Sequence, residues 1–214
     1  MRIQSQSNTN FQAYKIARVS TELKGRGVSD IDICLLTRED RNFLNKLEKK
    51  IDYRTLFPKL SLALQRRWQK VLAYCIACAH DPDNRTYVAL HDGKPCGIMT
   101  YTEDSSFYLE GLCAIPLEKN KKVPFTGDTL LYQLFKDAFA AGASDIKLKA
   151  VTDGPFDVVK KYESRGFKKN PASQTYTEMR CNKHKIKEQL KEYPYTLDYI
   201  ELEPEKINLD DTLD

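Results

Sequence analysis

Residues 86–103 read TYVALH, DGK, PCGIMTYTE: two apolar runs separated by Asp92-Gly93. Asp-Gly is a strong hairpin signal, because a two-residue turn that matches the twist of its strands needs positive φ at both positions. The stretch therefore predicts two antiparallel strands with the turn already chosen. A third run, FYLEGLCAI (107–115), follows a short polar gap. Three consecutive antiparallel strands form the centre of the chain, and the rest of the fold must be built around them.

Upstream, IDICLL (31–36) alternates apolar residues and predicts a strand. Thr37 with Asp40 three positions on has the spacing of a capping box, so a helix starts at Arg38. A second helix spans about Ser61 to Ala79, with Leu64, Trp68, Val71, Leu72, Cys75 and Cys78 on its apolar face. Downstream, GDTLLYQLFKDAFAAG predicts a helix stopped at Gly142, DIKLKAV a strand, PFDVVKKYESRGF a helix with Pro155 near its first turn, and QTYTEMRC a last strand. KHKIKEQLKEY is helical in pattern. FQAYKIARV (11–19) fits either a short strand or a helix, and LKGRGVSD is a turn-rich connector. The fold class expected is mixed α/β (α+β), with a mostly antiparallel sheet flanked by helices around one core.

Of the 214 residues, 41% are hydrophobic and 30% charged, and no apolar run approaches the roughly 18 residues that cross a bilayer. No secretory h-region opens the chain, so the expected location is cytoplasmic, with no membrane partner. The net charge of +4 is modest and weighs against a nucleic-acid partner, since such proteins concentrate a stronger basic excess on one face. The end of the chain, ELEPEKINLDDTLD, has six acids and one lysine and reads as a loose acidic tail. Before it, YPYTLDYIELE holds too many aromatics for a solvating tail. Residues Tyr193 to Leu202 are therefore expected to dock on the protein's own core or on a second copy in a homodimer, leaving Asn208 to Asp214 mobile.

Six cysteines fall in apolar stretches, where free thiols behave as small hydrophobes. Cys75 and Cys78 form a CxxC without a second pair, and the three histidines are scattered, so no metal is expected.

Four pieces, taken in order, carry a resemblance: ICLLTRED, YLEGLCAIP, GDTLL and KKYESRGF. On these the chain resembles the GCN5-related N-acetyltransferase superfamily over about Ile31 to Arg180. The implied organisation is an N-terminal extension (1–30), an acetyltransferase domain (31–180) and a C-terminal helix with acidic tail (181–214). The resemblance implies acetyl-CoA as co-substrate and an amine-bearing acceptor, a small molecule or a peptide. It implies that backbone groups of Leu112, Cys113 and Ala114, next to a bulge at Gly111, hold the pantetheine arm. The pyrophosphate is implied to sit on Lys122, Val123, Phe125, Thr126, Gly127, Asp128 and Thr129, where a helix begins. Tyr162, four residues before Gly166-Phe167, is implied to protonate the leaving thiolate. Glu110 is the candidate base, with Asp153 a weaker one, and the N–H of Leu112 or Cys113 the oxyanion donor.

Two departures accompany the likeness. The family's phosphate pattern, Gln/Arg-x-x-Gly-x-Gly/Ala, becomes Lys122-Val-Pro-Phe125-Thr-Gly127, and an Asn common seven residues before the Tyr is replaced by Pro155. They leave open a catalytically silent acyl-CoA-binding module of the same fold, and the charged C-terminal segment separately leaves open an interaction protein with the core as scaffold.

Overall fold

A computed structural model describes residues 13–23, 27–119, 121–152, 157–169, 177–193 and 197–213. Asp153 and Pro155 lie outside the described residues. Among those described, nine strands form one sheet in the order β7-β8-β6-β5-β4-β3-β2-β1-β9. In chain order the strands are β1 (Ala13–Leu23), β2 (Gly27–Leu35), β3 (Asn84–His91), β4 (Lys94–Thr102), β5 (Phe107–Ala114), β6 (Asp145–Lys149), β7 (Lys168–Lys169), β8 (Glu178–Asn182) and β9 (Asp198–Ile207). The helices are α1 (Arg41–Lys50), α2 (Tyr53–Leu56), α3 (Leu62–Ala79), α4 (Thr126–Ala140), α5 (Val158–Glu163) and α6 (Lys183–Glu192). Every named strand pair is antiparallel except β5 with β6. This is the mixed, mostly antiparallel sheet expected from the sequence.

The local signals act as their chemistry dictates. Asp92 (φ 49°) and Gly93 (φ 73°) make the tight turn between β3 and β4. Thr37 and Asp40 close their capping box: the Thr37 N–H donates to Asp40 Oδ2 at 2.6 Å, and the Glu39 N–H donates to Thr37 Oγ1 at 3.3 Å. The box opens a single 3-10 turn, and the α-helix begins three residues later, at Arg41.

Each face of the sheet has its own apolar layer. Cys34, Val88, Ile98 and Cys113 pack against α1, α2 and α3 through Phe43, Leu47, Tyr53, Leu72 and Ile76. On the other face, Val19, Ile33, Tyr87, Met99 and Tyr101 meet Leu130, Leu134 and Phe135 of α4 and Ile186 of α6. Three bulges swap residues between these layers. Ala13 and Ala17 would share a face of a regular strand, but they lie in opposite layers, because the register shifts between Lys15 and Ala17. Phe107 and Cys113 in β5, and Cys96 and Ile98 in β4, are split in the same way by shifts at Glu110 and at Cys96.

The expectation of a loose acidic end fails. Residues 198–207 form β9, antiparallel to β1 from Ser20↔Asp198 to Ala13↔Ile207. Tyr193 and Leu197 are buried, so this segment docks on the protein's own core. Asn208 to Leu213, expected to be mobile, are anchored too: Leu209 and Leu213 are buried against the α1 side. The acids are accommodated because lysines face them, Lys46 Nζ at 2.6 Å from Asp210 Oδ2 and Lys136 Nζ at 3.0 Å from Glu201 Oε2. Tyr199 fixes the strand from inside. Its hydroxyl donates to Gln133 Oε1 (2.6 Å), Gln133 Nε2 donates to Asp137 Oδ1 (3.0 Å), and Asp137 Oδ2 accepts from Tyr87 (2.9 Å) and Tyr101 (2.6 Å).

Candidate active site

β5 pairs with β6 only from Phe107↔Ile146 to Leu109↔Leu148. Beyond Leu109 the two strands part, while β5 stays paired with β4 as far as Ala114↔Gly97. A cleft of about 610 Å³ fills the opening, walled by α3, β5, β6 and α5. The cause lies in β5 itself. Thr100 faces Gly111 and Tyr101 faces Leu109, so Glu110 is an extra residue with no partner of its own.

Gly111 is required here for close approach. A Cβ on it would stand 2.5 Å from Cys75 Sγ and 3.2 Å from the Cys75 Cα, so α3 packs directly on the strand backbone. Gly111→Ala should therefore destabilise the fold by about 1–3 kcal/mol, the usual cost of overpacking. Cys75→Ala in the same chain should recover part of that loss in urea unfolding, since it removes the nearest atom. An unchanged midpoint for Gly111→Ala alone would mean the contact is slack.

Beyond the bulge, backbone direction follows from one bond. The Ile115 N–H donates to the Cys96 carbonyl at 2.7 Å, so Ile115 is turned toward β4. Strand alternation then turns the backbone of Cys113 toward β4 and that of Leu112 and Ala114 toward the cleft. The Cys113 thiol points into the α3-side core, 3.6 Å from the Tyr53 hydroxyl.

Glu110 and Tyr162 come together on this cleft. The Tyr74 hydroxyl of α3 donates to Glu110 Oε2 at 3.2 Å. Tyr162 stands in the last turn of α5, a helix capped by Asp157, whose Oδ1 accepts from the Lys160 N–H at 3.1 Å. Its ring meets Phe167 edge-on (centroids 5.5 Å), and Phe167 meets Phe135 of α4 (5.9 Å), so the phenol is backed by the core. Burial, reinforced by the Cys75 and Cys113 thiols beside it, raises its pKa above the ordinary phenol value. Among the described residues its hydroxyl has no hydrogen-bond partner.

The start of α4 is unusual. Phe125 takes the N-cap position in the left-handed region (φ 62°), follows Pro124, and supplies no side-chain cap. Thr126 and Thr129 are buried: the Thr126 hydroxyl donates to the Val123 carbonyl at 3.0 Å, and Thr129 Oγ1 has no hydrogen-bond partner among the described residues. Neither hydroxyl is turned outward. This turn presents its backbone N–H groups instead, and the space above Gly127 is open, with nothing within 4 Å of an added Cβ. Asp128 is held by Arg165, with Nε 2.6 Å from Oδ1.

Lys122 leaves this turn and lies on aromatic rings. Its Nζ is 4.2 Å from the Trp68 centroid and 5.4 Å from that of Phe57, and both rings stack with Tyr53. Burial, with a smaller push from Lys161, lowers its pKa to about 8. The ring faces act in the opposite sense, by favouring the cation.

The α3 wall was not legible as part of a site. The helical period placed Trp68 and Cys75 on an apolar face, which is where core residues also belong. Tyr74, next to that face, is exposed and holds the carboxylate.

No protein-family model matches the chain, and no curated protein matches it in sequence. Solved structures do match in shape. Apo FdhC, a nucleotide-linked sugar GNAT, superposes with a TM-score of 0.53 at 14% identity, over 78% of this chain and 95% of that one. The PaiA N-acetyltransferase of Thermoplasma acidophilum in complex with coenzyme A gives 0.49 at 19% identity, over 71% and 98%. The catalytic domain of the Tetrahymena GCN5 histone acetyltransferase in complex with coenzyme A gives 0.48 at 16%, over 71% and 92%. With its parted parallel pair, its bulged central strand and this match in shape, the chain has the fold of the GCN5-related N-acetyltransferase superfamily.

Proposed function

We propose that the protein is an acetyl-CoA-dependent N-acetyltransferase that transfers the acetyl group directly to an amine. The observation that carries this reading is the opening between β5 and β6, which has Glu110 on one strand and the Tyr162 phenol on the facing helix. Unpaired strand edges take amide ligands by main-chain hydrogen bonds. Leu112 and Ala114 offer such an edge to the pantetheine arm. The pyrophosphate takes the N–H groups of Thr126, Gly127 and Asp128 at the positive end of α4. Lys122 and Lys161 add charge near the cleft.

Three tasks then fall to this chain's residues. Glu110 accepts the proton of the attacking ammonium, directly or through water, so that the neutral amine can attack. The Leu112 N–H donates to the carbonyl oxygen as charge gathers on it; Cys113, whose backbone faces β4, serves through its neighbours instead. Tyr162 gives its proton to the departing thiolate, and its raised pKa keeps that proton available at neutral pH.

Acetyl-CoA should raise the melting temperature, and a hundredfold excess over Kd corresponds to about 2.7 kcal/mol of stabilisation. Thiol release from acetyl-CoA with a broad amine panel then tests turnover. Absence of any thermal shift at millimolar ligand would remove the reading. Phe125 and Pro124 at the phosphate turn favour a second reading, a silent acyl-CoA-binding module; it predicts the thermal shift without thiol release.

A further inference from the structure

Past β5, one face of the sheet is bare. α3 packs on β3, β4 and β5. On the same face the side chains of β6, β8 and β7 are exposed. Alternation fixes this: Ile146, Leu148, Met179 and Cys181 are buried in the α4 layer, so Lys147, Lys149, Glu178 and Arg180 point the other way. Lys168 shares the face of Arg180, with which it pairs. Two rows of side chains cross this face. The first is level with Glu110. The last β5–β6 pair, Leu109↔Leu148, puts Lys149 at that level, and Lys149 pairs with Glu178. This row carries two carboxylates and one cation. The second row, two residues along the strands, runs from Tyr108 through Lys147 and Arg180 to Lys168. It carries three cations and no carboxylate. Arg180 is held by the buried Asp145, whereas Lys147 and Lys168 have no ion-pair partner among the described residues. Like charges directly opposite each other across strands destabilise a sheet, so stability does not explain this row. At about 4.8 Å between strands its cations span about 10 Å, and the two rows lie about 7 Å apart. Tyr108 and Glu110 both line the cleft, so both rows open from it.

Resting on the acetyltransferase reading above, we infer that the acceptor is an acidic polypeptide, whose amine enters the cleft at Glu110 and whose acidic residues lie across Lys147, Arg180 and Lys168. The ammonium meets the row with the carboxylates, and the acids meet the row with the cations. A basic peptide would meet the second row with the wrong sign, and repulsion of the wrong charge selects as effectively as attraction of the right one. One small anion cannot span about 10 Å of cations, but an extended chain rising about 3.3 Å per residue covers them with three residues. The same rise places those acids about two to four residues from the one that bears the amine. Nucleic acid would also suit the cations, but the amino groups of its bases are conjugated and offer Glu110 no ammonium to deprotonate.

The test measures thiol release at saturating acetyl-CoA from three octapeptides that differ only at the third to fifth residues, which are all glutamate, all glutamine or all arginine, with hexylamine as the reference amine. Each peptide is made with a free α-amine and, separately, with that amine blocked and a lysine in first place. At low salt, kcat/KM for the glutamate peptide in at least one form should exceed that for the glutamine peptide by about tenfold and that for the arginine peptide by about a hundredfold. The preference should shrink as salt is raised, since the cations are exposed. The double variant Lys147→Glu/Lys168→Glu should erase it, leaving turnover of the glutamine peptide and the KM for acetyl-CoA unchanged. Equal or faster turnover of the arginine peptide overturns the acceptor assignment and leaves the acetyltransferase reading standing. So does a preference that survives in the double variant, turnover of hexylamine with none of any peptide, or a dT15 oligonucleotide that binds the face while the three peptides react alike. No thiol release with any peptide or with hexylamine overturns both.

Discussion

Tyr162→Phe should lower kcat by roughly 10² to 10⁴, the range for loss of a general acid, and should leave acetyl-CoA affinity unchanged. The substitution removes one oxygen and keeps the ring against Phe167, so the α5–α4 packing survives. Its effect should therefore appear only where charge develops on the departing sulfur. Burial holds the phenol above its ordinary value of about 10, so on the proposed mechanism the unsubstituted protein should lose no activity through this group as pH rises from 7 to about 10. Single-turnover rates, measured beside equilibrium binding of acetyl-CoA, separate the two quantities. Equal single-turnover rates for the two proteins would make Tyr162 a packing residue that happens to line the cleft.

Ending the chain after Leu197 should leave most of the protein unfolded at ambient temperature. The deletion strips β1 of its outer neighbour and removes Leu209 and Leu213, each worth about 1.5–3 kcal/mol of burial. It also takes Tyr199 from the network through Gln133 and Asp137 to Tyr87 and Tyr101. Against a total stability of about 5–15 kcal/mol, losses of this size consume most of the margin. The milder variant Leu209→Ala should cost about 2–5 kcal/mol. Urea midpoints read both. A truncated chain with the full-length midpoint would mean that β9 is laid on the sheet without stabilising it.

The parts of the fold that were legible are those in which a local rule has no competitor. Asp92-Gly93 can make only one kind of turn, and the Thr37–Asp40 box marks a helical start wherever it occurs. β1 was ambiguous because its bulge breaks the period of two: Ala13 and Ala17 change layers between Lys15 and Ala17, and the pattern fits no single element. β9 was hidden for another reason. An edge strand lines the core with few residues, here Tyr199 and Ile207, and it tolerates Pro204 and many acids because its outer side faces water. Glu110 and Tyr162 could be named from their neighbours, but their meeting depends on the parting of β5 and β6, a long-range property of strand register. The phosphate turn shows the opposite limit. Thr126 and Thr129 stand where hydroxyls could reach a phosphate, whereas burial turns both inward, and no nearest-neighbour rule contains that information.

The pairing of Ala13 with Ile207 also bears on how the protein is made. A chain leaving the ribosome releases β1 early, and β2 soon follows to form a hairpin with it. The other edge of β1 stays bare until nearly all of the described sequence has been synthesised. Closing a contact between segments so far apart is slow, and a bare strand edge invites other chains. Nascent chains stalled between α6 and β9 should therefore be the species most in need of a chaperone, and slowing translation upstream of α6 should lengthen that exposure rather than relieve it.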